Sequence, residues 1–491
     1  MVVTLDGRSL TIESAMGVAD RGELVKASPQ SLKQMEKFRV LLEQKLARGE
    51  VVYGVNTGFG SLADKVVRPE HIDELQLNLI RSHSAGVGPA MTTEIVRAAI
   101  LIRLNSLLNG NSAAGKEVAE LMVGMLNKGV TPYVPRFGSL GASGDLAPSA
   151  HMALTMVGEG RAYHKGKLMD SGRALSASRL KPIRLHAKEG LSLINGTAFT
   201  TALGCAAVHR GGTLLKAANS TLAVTAEALG ACSQSFDEKL IGVKLDPGQE
   251  QVARQVRALL KGSRRIRAEP VPQDPYSIRC APQVHGSLVD ALGFSRKIVV
   301  NEMNSVSDNP VLYEDGAVLH GGNFHAQPVA MSLDLLSLAL SYIGMISLAR
   351  IHYLLKRTPP ESKYMATKPG LESGLMILEY TATSLVSDNS VHVHPESSYP
   401  ANVSGGIEDH ASHGVNAGMK ALKVAGNVSS ILAIELICGS NILGSNESGI
   451  SEHAKSVNGF VRSVSPLLRG DRSQGVEIEA LANEIQNGKL P

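Results

Sequence analysis

Apolar residues along the 491-residue chain recur mainly at helical spacing. Ser28-Pro29 reads as an N-cap with proline at the first helical position. The helix behind it reaches about residue 47, with Leu32, Met35, Phe38, Leu42 and Leu46 on one face. Residues 69–84 predict another helix, as do 93–108, where Val96, Ile100, Leu104 and Leu107 form a stripe. A helix over 114–128 ends at Gly129, and one over 148–157 follows Pro148. Three stretches break the pattern. Residues 2–10 alternate around the turn dipeptide Asp6-Gly7 and predict a small hairpin. Residues 54–60 carry three glycines and predict a loop, with Tyr53 at its entrance. Residues 158–185 are polar and partly alternating, which predicts loops with short strands.

From about Gly196 the character changes. Long apolar-periodic segments cover roughly 197–235, 247–261, 281–306, 325–356, 371–390 and 406–442. Segments of this length with few strand-like runs predict a mainly α protein. The expected architecture is a long up-down helical bundle over 197–491. A smaller mixed region, 1–196, precedes it. The most apolar run, 329–349, contains Asp334 and four serines. An acid at a bilayer centre costs about 3 kcal/mol, so this run is expected to be a buried bundle helix. Residues 273–279 form a Pro-Tyr loop between helices, 358–369 an exposed Pro-rich connection, and 470–491 a short helix with a polar end.

Composition narrows the function classes. Lys+Arg of 49 against Asp+Glu of 45 is near balance, so no nucleic-acid surface is indicated. The basic run Arg264-Arg265-Ile266-Arg267 lacks interleaved aromatics and reads as a solvated loop. Cys205, Cys232, Cys280 and Cys438 are far apart, and no pair has metal or redox spacing. Sparse cysteine and an N-terminus without a basic-then-apolar layout predict a cytoplasmic protein.

The most unusual string is Gly138-Ser139-Leu140-Gly141-Ala142-Ser143-Gly144-Asp145-Leu146-Ala147-Pro148. Its small side chains let the backbone fold back at low steric cost. The Gly144 nitrogen can then reach the Ala142 carbonyl carbon. Ring closure with loss of water, including the Ser143 hydroxyl, leaves a conjugated alkene, a methylidene-imidazolone. That group is an electrophile which no genetically encoded side chain provides. Taken alone, the tripeptide reads first as a glycine-rich turn entering a helix at Pro148, and it is the whole string that favours the ring. A nucleophile elbow is excluded because Asp145 stands where a glycine is required. A phosphate loop is excluded because no Gly-Lys-Ser/Thr follows.

The whole string resembles the prosthetic-group loop of the aromatic amino acid ammonia-lyase family, and the resemblance extends from about residue 50 to 440. Tyr53-Gly54-Val55-Asn56-Thr57-Gly58-Phe59-Gly60 is similar to the family's catalytic-tyrosine loop, which implies that Tyr53 removes the substrate's β-proton. A free phenol has a pKa near 10 and needs nearby donors or positive charge to act as a base near neutrality. Ser82-His83 resembles the pairing that histidine-acting members carry where others have Phe-Leu or His-Leu. Glu189 to Thr197 resembles the family's asparagine loop and implies that Asn195 binds the prosthetic group and the substrate amine.

Gln273-Asp274-Pro275-Tyr276-Ser277-Ile278-Arg279-Cys280 is also similar to a family string. It implies that Arg279 grips the substrate carboxylate in a bidentate fork, Tyr276 approaches the prosthetic group and Gln273 lines the pocket. Residues 301–310 resemble a structural turn bordering the pocket. Phe324, in Gly321-Gly322-Asn323-Phe324-His325-Ala326, is implied to pack on the prosthetic ring. Glu408 stands where histidine-acting members carry Glu and others usually Gln. The chain departs from the pattern just before it, with Ile407 in place of the usual Gln and an unusual Val403-Ser404-Gly405-Gly406.

The resemblance implies elimination of ammonia from L-histidine to give trans-urocanate. It implies a group formed from Ala142, Ser143 and Gly144, with Asp145 assisting maturation and His83 and Glu408 holding the imidazole. It further implies a homotetramer with sites shared between subunits, and neither a metal nor a diffusible cofactor. A lyase or 2,3-aminomutase acting on tyrosine or phenylalanine shares the group and the fold. An inactive helical scaffold is disfavoured by the joint presence of the tripeptide, Tyr53 and Arg279.

Overall fold

The computed structural model describes residues 2–269 and 271–491. The chain divides into two compact units that interleave in sequence. Unit 1 comprises Met1–His209, Ser295–Leu333 and Pro395–Met419; unit 2 comprises Arg210–Phe294, Asp334–His394 and Lys420–Pro491.

Unit 1 is mixed. The Pro29–Ala47 helix is capped by the Ser28 side chain, which accepts from the Ser31 amide at 3.2 Å. Met35, Phe38 and Leu42 on its inner face are buried, and Phe38 and Leu42 join Val52, Val55 and Ile72 in one core cluster. The Lys116–Lys128 helix stops at Gly129, whose φ of 68° is the left-handed cap expected of that glycine. Among the described residues, all named strands lie in this unit. The Arg161–His164 strand is central in a three-stranded antiparallel sheet with Val130–Pro132 and Lys167–Asp170.

The expected hairpin over 2–10 is absent. Val2–Leu5 pairs in parallel with Leu24–Ala27, across the Ile12–Asp20 helix. The cause is local: the Asp6 carboxylate accepts from the amides of Arg8 at 2.8 Å and Ser9 at 2.9 Å. That turn feeds the chain into a capping box at Thr11 instead of reversing it.

Unit 2 is helical. Leu222, Phe236, Val252, Val256 and Ile278 belong to one of its apolar clusters. Arg350 and Glu435, both fully buried, pair through two bonds of 2.6 and 2.9 Å. Hydroxyls of Thr225 and Ser347 donate to the same carboxylate at 2.6 Å, so the buried charge is fully satisfied. The run 329–349 lies in the Gln327–Lys356 helix, and 72% of its most apolar window is buried, as expected of a core helix. A second long apolar helix, Gly414–Leu443, is 78% buried over its window. Arg267 in the basic run is not freely solvated. It pairs with Asp274 at 2.7 Å and donates to the Gly230 carbonyl at 2.6 Å, which ties the loop down.

Candidate active site

Ser143 stands on the wall shared by two adjoining cavities of about 520 and 450 Å³, within the size range of small-ligand sites. Tyr53, Gly60, Leu191, Asn195 and Glu408 line both. His83 lines the smaller cavity, and Phe324 and Ile407 the larger. The two adjoining cavities together gather Tyr53, His83, Ala142, Ser143, Asn195, Phe324 and Glu408, residues singled out in the sequence and drawn from separate segments of unit 1.

The tripeptide loop is built by close backbone approach. Gly144 has φ +81°, and a Cβ there would sit 2.4 Å from the Gly196 carbonyl oxygen. Only glycine at 144 permits this contact, while a Cβ on Gly196 would instead meet the Ser307 carbonyl oxygen at 2.4 Å. The next amide, of Asp145, donates to the same oxygen at 2.7 Å. Asn195 donates through Nδ2 to the Ser143 carbonyl at 3.0 Å. Its Oδ1 is buried with no partner in the protein. A buried acceptor aimed beside this loop suits an N–H of a bound amine or of a modified loop. These features fit a cyclised Ala142-Ser143-Gly144 held by Asn195.

Asp145 is fully buried, at the start of the Leu146–Met156 helix. Its carboxylate accepts from the Thr200 amide at 2.7 Å and the Thr200 hydroxyl at 2.8 Å. Burial nevertheless dominates and raises its pKa to about 6. The helix begins at Leu146, two residues before the proline expected to open it.

The turn behind the loop is braced from below. The Thr197 hydroxyl donates to Glu302 at 2.6 Å. Arg103, 1% exposed, donates to the Ser192 carbonyl at 2.6 Å and the Ser307 carbonyl at 3.2 Å. Residues 301–310 thus border the site as expected, and Asn309 reaches the larger cavity.

Tyr53 faces the pocket from its glycine loop. The Gly60 amide, seven residues on, donates to the phenol oxygen at 3.1 Å. Gly60 has φ +53°, a left-handed conformation that favours glycine, and a Cβ there would meet Ser404 Oγ at 2.7 Å. The His320 ring stands edge-on to Tyr53, with centroids 5.9 Å apart. Neither the Gly60 donor nor His320 was legible in the sequence, since both act through backbone geometry or a loop distant in the chain.

His83 ends the Ile72–His83 helix. Its Nδ1 lies 2.9 Å from the Leu79 carbonyl, which requires the proton on Nδ1 and leaves Nε2 as an acceptor. Burial lowers its pKa, opposed by that bond and by the charge of Glu408. Glu408 lies in a loop, not in the helix expected to start near 406; that helix begins at Gly414. A tight turn closes by paired Val403–Glu408 backbone bonds and carries Ser404 at φ +53° and Gly405 at φ +68°. It brings the Glu408 carboxylate to the Ser143 hydroxyl, which donates to it at 2.9 Å.

Gln273, Tyr276 and Arg279 do not line this pocket. They belong to unit 2, where Arg279 donates to Gln273 at 2.7 Å and lies over the Tyr276 ring at 4.8 Å. Tyr276 is 71% exposed, and Arg279 Nε is buried without a partner. The three form a cluster with unused hydrogen-bonding capacity. Among the described residues, no group of three or more His, Cys, Asp or Glu side chains is placed to hold a metal ion.

Comparison with known proteins identifies the family. Residues 10–463 match the model of the aromatic amino acid lyase family. The chain is 42% identical over 487 residues to a histidine ammonia-lyase of Geobacillus thermodenitrificans, covering 98% of this chain and 96% of the relative. Among solved structures it resembles the histidine ammonia-lyase of Trypanosoma cruzi, at 37% identity and a TM-score of 0.92, covering 100% and 94% of the two chains. It also resembles the tyrosine aminomutase of Streptomyces globisporus, at 32% identity and a TM-score of 0.94, covering 100% and 98%. Taken with the helical fold and the pocket around Ser143, these matches show that the chain belongs to the aromatic amino acid lyase family.

Proposed function

We propose that the protein eliminates ammonia from L-histidine to give trans-urocanate, using a methylidene-imidazolone formed from Ala142, Ser143 and Gly144. When formed, that group supplies an electron-poor alkene to which an amine can add. Asn195 holds the tripeptide through Nδ2 and offers its unpartnered Oδ1 to the substrate amine. Tyr53 takes the β-proton, with the Gly60 amide fixing the phenol oxygen that receives it. His83 accepts one imidazole N–H at its free Nε2, and Glu408 accepts the other. A carboxylate in that place favours the imidazolium, which acidifies the carbon that Tyr53 deprotonates. Phe324 forms an apolar wall of the adjoining larger cavity.

The substrate carboxylate falls to Arg279, supported by Gln273 and Tyr276. We place this cluster in the site of a neighbouring subunit of a homotetramer; its exposed tyrosine and unpartnered guanidinium nitrogen support that reading. Asp145, buried beside the closing amide, assists ring formation. All four cysteines are unpaired, which fits a cytoplasmic enzyme.

The observation that carries the proposal is the pairing of His83 and Glu408 in one pocket with Ser143 and Tyr53. The test supplies histidine, tyrosine and phenylalanine separately and follows product absorbance. Urocanate from histidine is expected. Absence of urocanate, with cinnamate, coumarate or a β-amino acid formed from the other substrates, would replace this assignment with a lyase or aminomutase of different specificity.

A further inference from the structure

Gln76 is fully buried on the Ile72–His83 helix, one turn before Ile80, and lines neither cavity. Leu75, Asn78, Leu79 and His83 of the same helix do line the smaller cavity. Both ends of the Gln76 amide are engaged. Nε2 donates to the Gly54 carbonyl at 3.3 Å, and Oε1 accepts from the Leu191 amide at 3.1 Å. Gly54 follows Tyr53 in the glycine loop. Leu191 lies in the Glu189–Ile194 helix, which ends at Asn195.

Steric contacts repeat the connection. A Cβ on Gly54 would meet Leu191 Cδ2 at 2.5 Å, and one on Gly190 would meet the Gln76 carbonyl oxygen at 2.6 Å. The three segments are therefore pressed together around this one side chain. A glutamine in a buried stripe between Ile72 and Ile80 is costly unless both its ends are bonded, and here both are.

We infer that Gln76 is a positioning residue, which sets the Tyr53 loop, the Asn195 turn and the His83 helix in mutual register. It touches neither the reacting atoms nor the substrate. Its amide joins the segment of the base to the segment that holds the amine, so its loss lets Tyr53 and Asn195 move independently. The inference rests on the proposed roles of those residues, but the linkage itself does not depend on which amino acid is the substrate.

Two variants test it. Gln76→Met removes both bonds while keeping a similar volume. Gln76→Glu keeps the acceptor for Leu191 and can donate to Gly54 only when protonated. Hydrogen exchange is measured on the assembled enzyme of each. In Gln76→Met, amides of residues 54–60 and 189–195 should exchange about tenfold faster than in the parent, with the helical core unchanged. Turnover is measured on whichever amino acid the enzyme consumes. In Gln76→Met, kcat should fall by about tenfold to a hundredfold with KM little changed. The ratio of Gln76→Glu to parent activity should rise as pH falls, because protonation restores the donor, whereas the Gln76→Met ratio should stay flat. Unchanged exchange of the helical core separates this from a general loss of folded protein, which would speed exchange there as well. Unchanged exchange in both segments, or a Gln76→Glu ratio that is flat with pH, overturns the inference. Failure of histidine turnover alone bears on the proposed function and leaves the exchange result standing.

Discussion

The Ser143 hydroxyl donates to the Glu408 carboxylate at 2.9 Å, across 265 residues of sequence. The contact joins the tripeptide loop to the residue that, within the family pattern, distinguishes histidine from phenylalanine and tyrosine. In the proposed function it sets the carboxylate that holds the imidazole beside the tripeptide that forms the electrophile. A change at Glu408 should therefore alter turnover as well as recognition.

Glu408→Gln keeps the shape of the side chain and removes its charge. The expected result is a fall in kcat on histidine of about a hundredfold, with a smaller change in KM. Steady-state kinetics on purified protein measures this, and a rate equal to the parent's removes Glu408 from the mechanism.

Asn195→Ala deletes both the donor to the Ser143 carbonyl and the unpartnered acceptor. Loss of such a preorganised contact is expected to lower kcat by about a hundredfold or more. Kinetics with the intact mass taken on the same sample checks it; full activity would contradict the role of Asn195.

Gly144→Ala forces a Cβ to within 2.4 Å of the Gly196 carbonyl at a backbone φ of +81°. The loop must open, so the variant should retain its full sequence mass and lose activity. Its thermal midpoint should also fall, reflecting a cost of about 1–3 kcal/mol from the strained conformation. A variant that loses two waters would show that the close approach is dispensable.

Asp145 gives a pH-dependent expectation. Burial raises its folded-state pKa from 3.8 to about 6, so the folded protein holds this proton more tightly than the unfolded chain. The stability it contributes is full below the lower value and is lost as pH rises through the upper one. Asp145→Asn stays uncharged throughout. The stability of the parent relative to this variant should fall by up to about 3 kcal/mol between about pH 4 and about pH 7. Unfolding curves across that range measure it, and a constant difference would contradict a buried, raised Asp145.

Shared sites predict complementation. Tyr53→Phe and Arg279→Ala should each abolish most activity, and mixed assemblies made by co-expression should regain part of it. No recovery from mixed assemblies would mean that Arg279 acts within its own chain or not at all.

Sequence made the helical framework legible because apolar spacing and caps point the same way. Ser28-Pro29 and Gly129 mark real helix ends. It failed where side-chain bonding redirects the backbone. Asp6-Gly7 resembles a hairpin turn, yet the Asp6 carboxylate binds the amides of Arg8 and Ser9 and leads into a helix. The Ser171–Ala177 and Glu452–Val464 helices escaped notice, the first within a polar stretch and the second beyond the last long apolar segment.

The lining of the candidate site was legible as short strings: Tyr53, His83, Ala142, Ser143, Asn195, Phe324 and Glu408 all came from local motifs. What joins them was not. Glu408 reaches Ser143 because 406–413 is loop rather than helix. The Gly60 donor acts through a backbone amide that any residue possesses. Gln76 left one faint signal, a polar residue in the buried stripe between Ile72 and Ile80. Only the folded chain shows that its two ends are claimed by Gly54 and Leu191.

The central claim is covalent, and the mass of active enzyme tests it most directly. Protein that converts histidine to urocanate should weigh less than its sequence by two waters, with the deficit confined to the peptide containing Ala142, Ser143 and Gly144. Fully active protein at its unmodified sequence mass would contradict the account.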